Sequence, residues 1–161
     1  MTRALLTLIL MTISVQQPDT GKNLKMANAH MIHSTGTFEV KIALTDHAPD
    51  STLASHSIDK QYRGDLEATA KGEMLSAGDP ATGNGGYVAI ERVTGKLAGK
   101  AGTFALIQYG IMVSGSAPQM TVTIVPGSGT GALAGITGSM TIIIVNGKHS
   151  YALDYSLAGV N

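Results

Sequence analysis

Apolar and polar side chains alternate along most of the chain, and this period of two constrains the fold more than any other feature. The clearest case runs from Thr37 to Leu44 (TFEVKIAL), where every second residue is apolar. Successive side chains of a β-strand point to opposite faces, so such a run buries one face in a core and leaves the other in water. No stretch has the convincing apolar spacing of an amphipathic helix. The pattern predicts an all-β protein.

Seven further runs of this kind follow, with turn-forming residues between them. They are Ser55–Tyr62, Leu66–Leu75, Gly86–Val93, Thr103–Val113, Met120–Val125, Ser139–Val145 and His149–Leu157. Asn146-Gly147, between the last two, is a strong hairpin signal because both central residues of a type I′ turn need positive φ. We therefore predict eight antiparallel strands in a single domain over residues 34–161.

A repeated segment supports this arrangement. Thr94–Leu106 (TGKLAGKAGTFAL) matches Thr130–Ile142 (TGALAGITGSMTI) without a gap, at an offset of 36 residues and with six of thirteen positions identical. We expect each copy to end one strand, turn through glycines and begin the next strand. This rhythm is typical of a barrel or a sandwich, and a closed barrel removes the exposed edges of long flat strands. We therefore predict an eight-stranded antiparallel barrel.

Residues 1–33 form a separate segment. The short basic start Met1-Thr2-Arg3 precedes an apolar run over residues 4–15, which has the length of a signal-peptide core and is too short to span a bilayer. Ser14–Gln17, at the end of this run, lacks the small-x-small pattern of a cleavage site, so a misassigned start, with Met26 or Met31 as the initiator, stays open beside export. We expect an exported protein if the apolar run belongs to a signal peptide, and a cytoplasmic protein otherwise. Gln16–His33 is polar and aperiodic, which predicts poor order.

Charge and cysteine content exclude several classes of function. Lys plus Arg equals Asp plus Glu at 11 each, so the net charge is zero and no basic patch marks a nucleic-acid site. The absence of cysteine excludes disulfides, thiolate nucleophiles and cysteine-based metal sites. The five histidines lack metal-binding spacing on the strands, and Gly127–Gly131 lacks the ending of a P-loop. We expect no metal, no cofactor and no nucleic-acid partner.

Motifs spread over the domain resemble a known family. They are Gly36–Lys41, Ile58–Tyr62, Gly64–Thr69, Gly72–Gly78, Gly86–Gly95, Gly129–Gly138 and Asp154–Leu157. Together they resemble domain-of-unknown-function family 3224, a bacterial group placed beside the allene oxide cyclase barrels. The resemblance implies an allene oxide cyclase-like barrel of eight antiparallel strands, with an interior of small-molecule size and usually in a homo-oligomer. It supplies no agreed reaction.

One of these motifs, Gly129–Gly138, is also similar to an element of plant allene oxide cyclases and dirigent proteins. Those proteins steer reactive intermediates to one product in a shaped cavity. Two departures from the family pattern concern the chemistry: Gln108–Ile111 (QYGI) stands where Gln-His-Ser-Gly is expected, and Pro126–Gly129 (PGSG) where Pro-Asp-Ser-Gly is expected. No catalytic residue is therefore carried over.

Polar side chains at inward positions mark the predicted ligand site. Gln108, Tyr151 and Tyr155 each share the period-two face of the apolar residues of their strand. Glu91 and Arg92 point to opposite faces, so one of them faces inward, where a charge needs a partner or water. We predict a ligand site built by Glu91 or Arg92, Gln108, Tyr151 and Tyr155, with His149 at its mouth.

Three functions stay open at this stage. The first is a barrel that binds an apolar or amphipathic small molecule without turnover. The second is a cyclase or isomerase that holds a reactive small molecule in one conformation. The third is a non-catalytic oligomeric scaffold with a filled interior. Cavity volume separates the scaffold from the other two, and converging polar groups separate the enzyme from the binder.

Overall fold

The computed structural model describes residues 30–157, which form a closed antiparallel β-barrel. Its eight strands pair in chain order, and the eighth pairs with the first. The strands are β1 (Ile32–Thr45), β2 (Leu53–Gly64), β3 (Leu66–Asp79), β4 (Asn84–Leu97), β5 (Lys100–Met112), β6 (Gln119–Ile124), β7 (Thr137–Val145) and β8 (Lys148–Ser156). Two short 3-10 helices, Pro80–Thr82 and Gly131–Leu133, interrupt this pattern. The predicted all-β, eight-stranded barrel is confirmed.

Tight turns with positive φ connect two pairs of neighbouring strands. Asn146 and Gly147 link β7 to β8 with φ of 50° and 74°, the two positive values that a type I′ turn requires. Ala98 and Gly99 link β4 to β5 in a similar way, with φ of 47° and 78°. Such turns set the register of the flanking strands, and the register decides which side chains face the interior.

The two copies of the sequence repeat fold differently. In the first copy β4 ends, the chain turns and β5 begins, as predicted. The second copy begins outside the sheet: Thr130 donates its backbone N–H to the Thr103 carbonyl at 2.8 Å, and its hydroxyl accepts the Thr103 N–H at 3.1 Å. The expectation that this copy ends a strand is therefore wrong. The segment leaves the barrel wall, and its Leu133 is buried in the core like the matching Leu97.

β1 begins earlier than the sequence indicated. Its first residue is Ile32, which pairs with Tyr155, and the neighbouring His33 Nδ1 lies 2.7 Å from Asp154 Oδ1. The prediction of poor order is therefore wrong for residues 32–33, because β8 offers them backbone and side-chain partners. The apolar run and the rest of the predicted leader, residues 1–29, lie outside the described residues.

The core fills one half of the barrel. At one end, hereafter the closed end, the largest inward side chains have almost no exposure; they include Tyr62, Leu66, Leu97, Phe104, Leu106, Leu133, Ile136, Leu153 and Tyr155. At the other end, hereafter the open end, the inward residues Ile42, Leu44 and Ile144 are 50%, 75% and 55% exposed. The interior is therefore packed near the β4–β5 turn and accessible near the β7–β8 turn.

Candidate functional site

The open half of the barrel contains a cavity of about 300 Å³. All eight strands contribute inward side chains to its wall, which consists of Phe38, Val40, Ile42, Ile58, Lys60, Met74, Tyr87, Ala89, Gln108, Met120, Ile142, Ile144 and His149. Most of these are apolar, and the few polar ones come from different strands. An apolar cavity with a small number of placed polar groups is the usual form of a small-molecule site.

A wider depression of about 750 Å³ lies at the rim of the open end, beside the β1–β2 and β3–β4 connections. It shares Met74 and Tyr87 with the cavity wall, so the two spaces adjoin. His56 lies on its wall, and the ring nitrogen Nδ1 of this residue is buried without a hydrogen-bond partner among the described residues. The rim depression therefore gives the cavity an approach from solvent.

Gln108 and Tyr87 form a polar pair on the cavity wall. The Gln108 amide nitrogen donates to the Tyr87 hydroxyl and lies 3.1 Å from the Met120 sulfur. Gly110 makes room for this arrangement, because a Cβ at that position would overlap the Tyr87 ring. Partial burial raises the pKa of Tyr87. Its hydroxyl therefore stays protonated at neutral pH and can donate a hydrogen bond to a bound molecule.

A buried ion pair lies at the inner end of the cavity. Lys60 Nζ is 2.7 Å from Glu91 Oε1, and the two side chains are only 6% and 2% exposed. The ammonium group also lies 5.2 Å from the centroid of the Phe38 ring, within the range of a cation–π contact. Gly72 lets the strands approach here, because a Cβ at that position would overlap the Glu91 backbone. The charge on each member is thus compensated within the barrel.

The Tyr62 hydroxyl adds a donor to this pair, at 3.5 Å from the same Glu91 oxygen. Burial and, second, the charge of Glu91 raise the pKa of Tyr62. The second Glu91 oxygen, Oε2, is buried without a hydrogen-bond partner among the described residues. An unpaired buried carboxylate oxygen is unusual in a native structure, and this one is free to accept a further hydrogen bond.

The predicted site residues separate into two groups. The structure brings Gln108 and His149 together on the cavity wall, and Glu91 lies beneath them as the partner of Lys60. The His149 ring packs against Phe38 with the ring centroids 5.0 Å apart. Of the two neighbours Glu91 and Arg92, it is Glu91 that faces inward, with 2% of its surface exposed. Arg92 is exposed on the outer surface, where it donates to the Ser128 carbonyl at 3.2 Å.

Tyr151 and Tyr155 face inward as predicted, but they lie in the closed end, away from the cavity wall. The Tyr151 hydroxyl accepts the Leu66 N–H at 2.8 Å, and Gly36 leaves space for its ring, since a Cβ there would overlap it. Tyr155 is 1% exposed and belongs to the same packed cluster. Both residues therefore belong to the packed core of the closed end, which lies next to the cavity.

Lys60 was not predicted as a site residue, although the sequence contains a signal for it. Lys60 is two residues from Ile58 and two from Tyr62, so all three share one face of β2. A lysine between two large apolar residues at a spacing of two is a candidate for an inward charge. Glu91 is one of the two residues that the sequence predicts as an inward charge. Only the register of the barrel shows that it meets Lys60.

The described residues contain no cluster of three or more His, Asp or Glu side chains that could hold a metal ion. Within residues 30–157, no helix is long and apolar enough to cross a membrane.

Comparison with known proteins places the chain in a family. The family described as "Protein of unknown function (DUF3224)" matches residues 34–155. A crystal structure of a protein with unknown function from the DUF3224 family of Shewanella oneidensis MR-1, at 1.84 Å resolution, is 40% identical and superimposes with a TM-score of 0.74. The match covers 81% of this chain and 100% of that one. No curated protein matches significantly. The chain therefore belongs to the DUF3224 family.

Proposed function

We propose that this member of the DUF3224 family binds a small apolar or amphipathic molecule in the open half of its barrel. The observation that carries the proposal is the cavity of about 300 Å³ lined by side chains from all eight strands. An unfilled apolar cavity that opens to solvent costs stability, because its lining side chains stay partly in contact with water. A barrel that served only as a scaffold would gain stability by filling this space.

The proposed site is a revision of the predicted one. Gln108 and His149 supply polar groups on the wall, Tyr87 joins them, and Lys60 lines the inner end with its buried partner Glu91 beside it. Arg92, Tyr151 and Tyr155 do not line this cavity. A few oriented donors and acceptors in an apolar wall would orient one end of an amphipathic ligand.

A second candidate is a cyclase or isomerase that acts on a molecule in the same cavity. The buried Lys60–Glu91 pair favours it, because a carboxylate and an ammonium group at the inner end could move a proton on a held substrate. The sequence resemblance of Gly129–Gly138 to allene oxide cyclases would also favour this candidate. Native mass spectrometry of the protein purified from its own host should identify a retained molecule. Return of that molecule unchanged after incubation with fresh protein supports binding, and its conversion supports catalysis.

The proposal includes a homo-oligomer. Val88 and Ile90 on β4 lie beside Tyr109 and Ile111 on β5, on the outer face of the barrel, and each is about half exposed. These four residues are called the outer apolar stripe. Contiguous apolar surface of this kind is typical of protein–protein interfaces, and a second copy of the chain would cover it.

Filling the cavity tests the binding proposal. Ala89 is an inward residue on the cavity wall, so Ala89→Phe should reduce affinity for the neutral fluorophore N-phenylnaphthylamine by about tenfold or more, because the added ring occupies the site. Fluorescence titration measures this. The matched control is Ile90→Phe, one residue further along β4 and on the outer face. Equal loss in both variants, or no loss in Ala89→Phe, would place the binding elsewhere.

A further inference from the structure

The Lys60–Glu91 pair leaves part of its hydrogen-bonding capacity unused. A lysine ammonium group carries three donors, and one of them is directed to Glu91 Oε1 at 2.7 Å. Lys60 makes no other hydrogen bond among the described residues, yet its side chain forms part of the cavity wall. The contact with Glu91 and the packing over Phe38 hold the ammonium group in place. Its remaining donors need an acceptor, and the cavity is where one can come from.

The charge balance limits what that acceptor can be. Lys60 and Glu91 are the only charged residues that are buried in the described part of the chain, and together they are neutral. A carboxylate ligand would add a third buried charge without a counter-ion, and a cationic ligand would meet the ammonium group directly. The other titratable groups that face the cavity or its rim are His149, His56 and Tyr87.

We infer that the site selects a neutral ligand with an apolar body and one acceptor oxygen, such as a ketone, which takes a hydrogen bond from Lys60. This deepens the proposed function and rests on it. The apolar body would lie along Ile58, Met120 and Ile142, and the oxygen would lie at the inner end beside the ion pair. A ligand of this kind uses a donor of Lys60 without disturbing the neutrality of the pair.

Three six-carbon probes test the selection at about pH 8: methyl butyl ketone, hexane and hexanoate. Binding is followed by NMR titration of the inward isoleucine methyl groups. The key variant is Lys60→Met/Glu91→Leu, because replacing both members of a buried ion pair by apolar residues usually preserves the fold, whereas removing one leaves an unpaired charge. We expect its affinity for the ketone to fall about tenfold, the size of one hydrogen bond from a charged donor. Its affinity for hexane should not fall.

The single variant Glu91→Gln tests the role of charge. It leaves Lys60 without a carboxylate partner, so hexanoate should bind about tenfold more tightly than it binds the wild type, since it replaces the missing anion. Circular dichroism and thermal unfolding establish that both variants are folded. If Glu91→Gln does not fold, the double variant decides alone.

The outcomes separate this inference from the proposed function. Wild-type protein that binds hexane and ketone, with a ketone affinity that the double variant leaves unchanged, overturns the inference and leaves the binding barrel standing. Tighter wild-type binding of hexanoate than of ketone also overturns the neutral selection. Failure of the wild type to bind any of the three probes or N-phenylnaphthylamine overturns both.

Discussion

Several polar side chains that face into the barrel have a specific partner, and the partner decides the role of each. The Tyr151 hydroxyl takes the Leu66 N–H and secures the closed end, whereas the Gln108 amide meets the Tyr87 hydroxyl at the cavity wall. Lys60 meets Glu91 between these two regions. An inward polar group without a partner would destabilise the fold. The polar residues are therefore structural in the packed half and available to a ligand in the open half.

The hydrogen bond between the Leu66 N–H and the Tyr151 hydroxyl leads to a prediction about stability. Tyr151→Phe leaves the buried Leu66 N–H without its partner, so the free energy of unfolding should fall by about 1–3 kcal/mol. Urea denaturation monitored by circular dichroism measures this. Tyr155→Phe is the matched control, because the Tyr155 hydroxyl makes no hydrogen bond to another described residue. Similar losses in the two variants would show that the hydrogen bond is not what secures the closed end.

Sequence alone could place these residues only in part. The period of two put Gln108, Tyr151 and Tyr155 on inward faces, and the structure agrees. It could not tell which half of the barrel each would occupy. That depends on the stagger between strands, which brings Tyr151 opposite Gly36 of β1 and Gln108 opposite Val122 of β6. Stagger is a property of the closed sheet as a whole.

The strands differ in how firmly they are held. β3 pairs along most of its length with both β2 and β4. β6 spans only Gln119–Ile124 and meets β7 through the single pair Thr123–Ser139. The segment that follows β6 bonds instead to the edge of β5, where Ser128 Oγ accepts the Ala105 N–H at 2.9 Å. The barrel is therefore closed by few backbone contacts between β6 and β7.

The short contact between β6 and β7 leads to a prediction about local opening of the barrel. Amide hydrogens in β6 should exchange with solvent faster than those in β3, because opening β6 breaks fewer hydrogen bonds. Hydrogen–deuterium exchange followed by mass spectrometry of peptides covering Gln119–Ile124 and Leu66–Asp79 measures the difference. Equal protection in the two peptides would contradict the interpretation of β6–β7 as the weak closure.

At the level of strands the sequence was most informative, because alternation is a local signal. The eight predicted runs lie in the eight observed strands, apart from end residues. The Asn146-Gly147 turn has the two positive φ angles expected of it. The second copy of the repeat could not be interpreted correctly, because Thr130 finds its partner on β5, a contact distant in sequence. Chemical similarity of two segments does not specify which strand lies beside each.

The whole molecule has one packed half and one open half, together with an apolar outer stripe. The two ends of the barrel follow from the size of the inward residues, which are large near the β4–β5 turn and do not fill the section around Ala89. The interior and the outer stripe serve different partners in the proposed function. The first would take a small molecule, and the second would take another copy of the chain.

The outer stripe predicts an oligomer that a charge should disrupt. Tyr109→Lys places an ammonium group at the centre of the stripe, so it should shift the sedimentation coefficient toward that of a monomer while the circular dichroism spectrum is preserved. Thr69→Lys adds the same charge at an exposed position on β3, outside the stripe, and should leave the oligomer intact. A wild type that sediments as a monomer would refute the proposed oligomer.

The binding of a small neutral molecule inside the open half is tested most directly by locating a bound ligand in solution. In protein labelled at isoleucine methyl groups, titration with methyl butyl ketone should shift Ile58 and Ile142, which line the cavity. It should leave Ile90 and Ile107 unchanged, because their side chains lie on the outer face. Shifts confined to Ile90 and Ile107, or no shifts at saturating ketone, would contradict a ligand site inside the barrel.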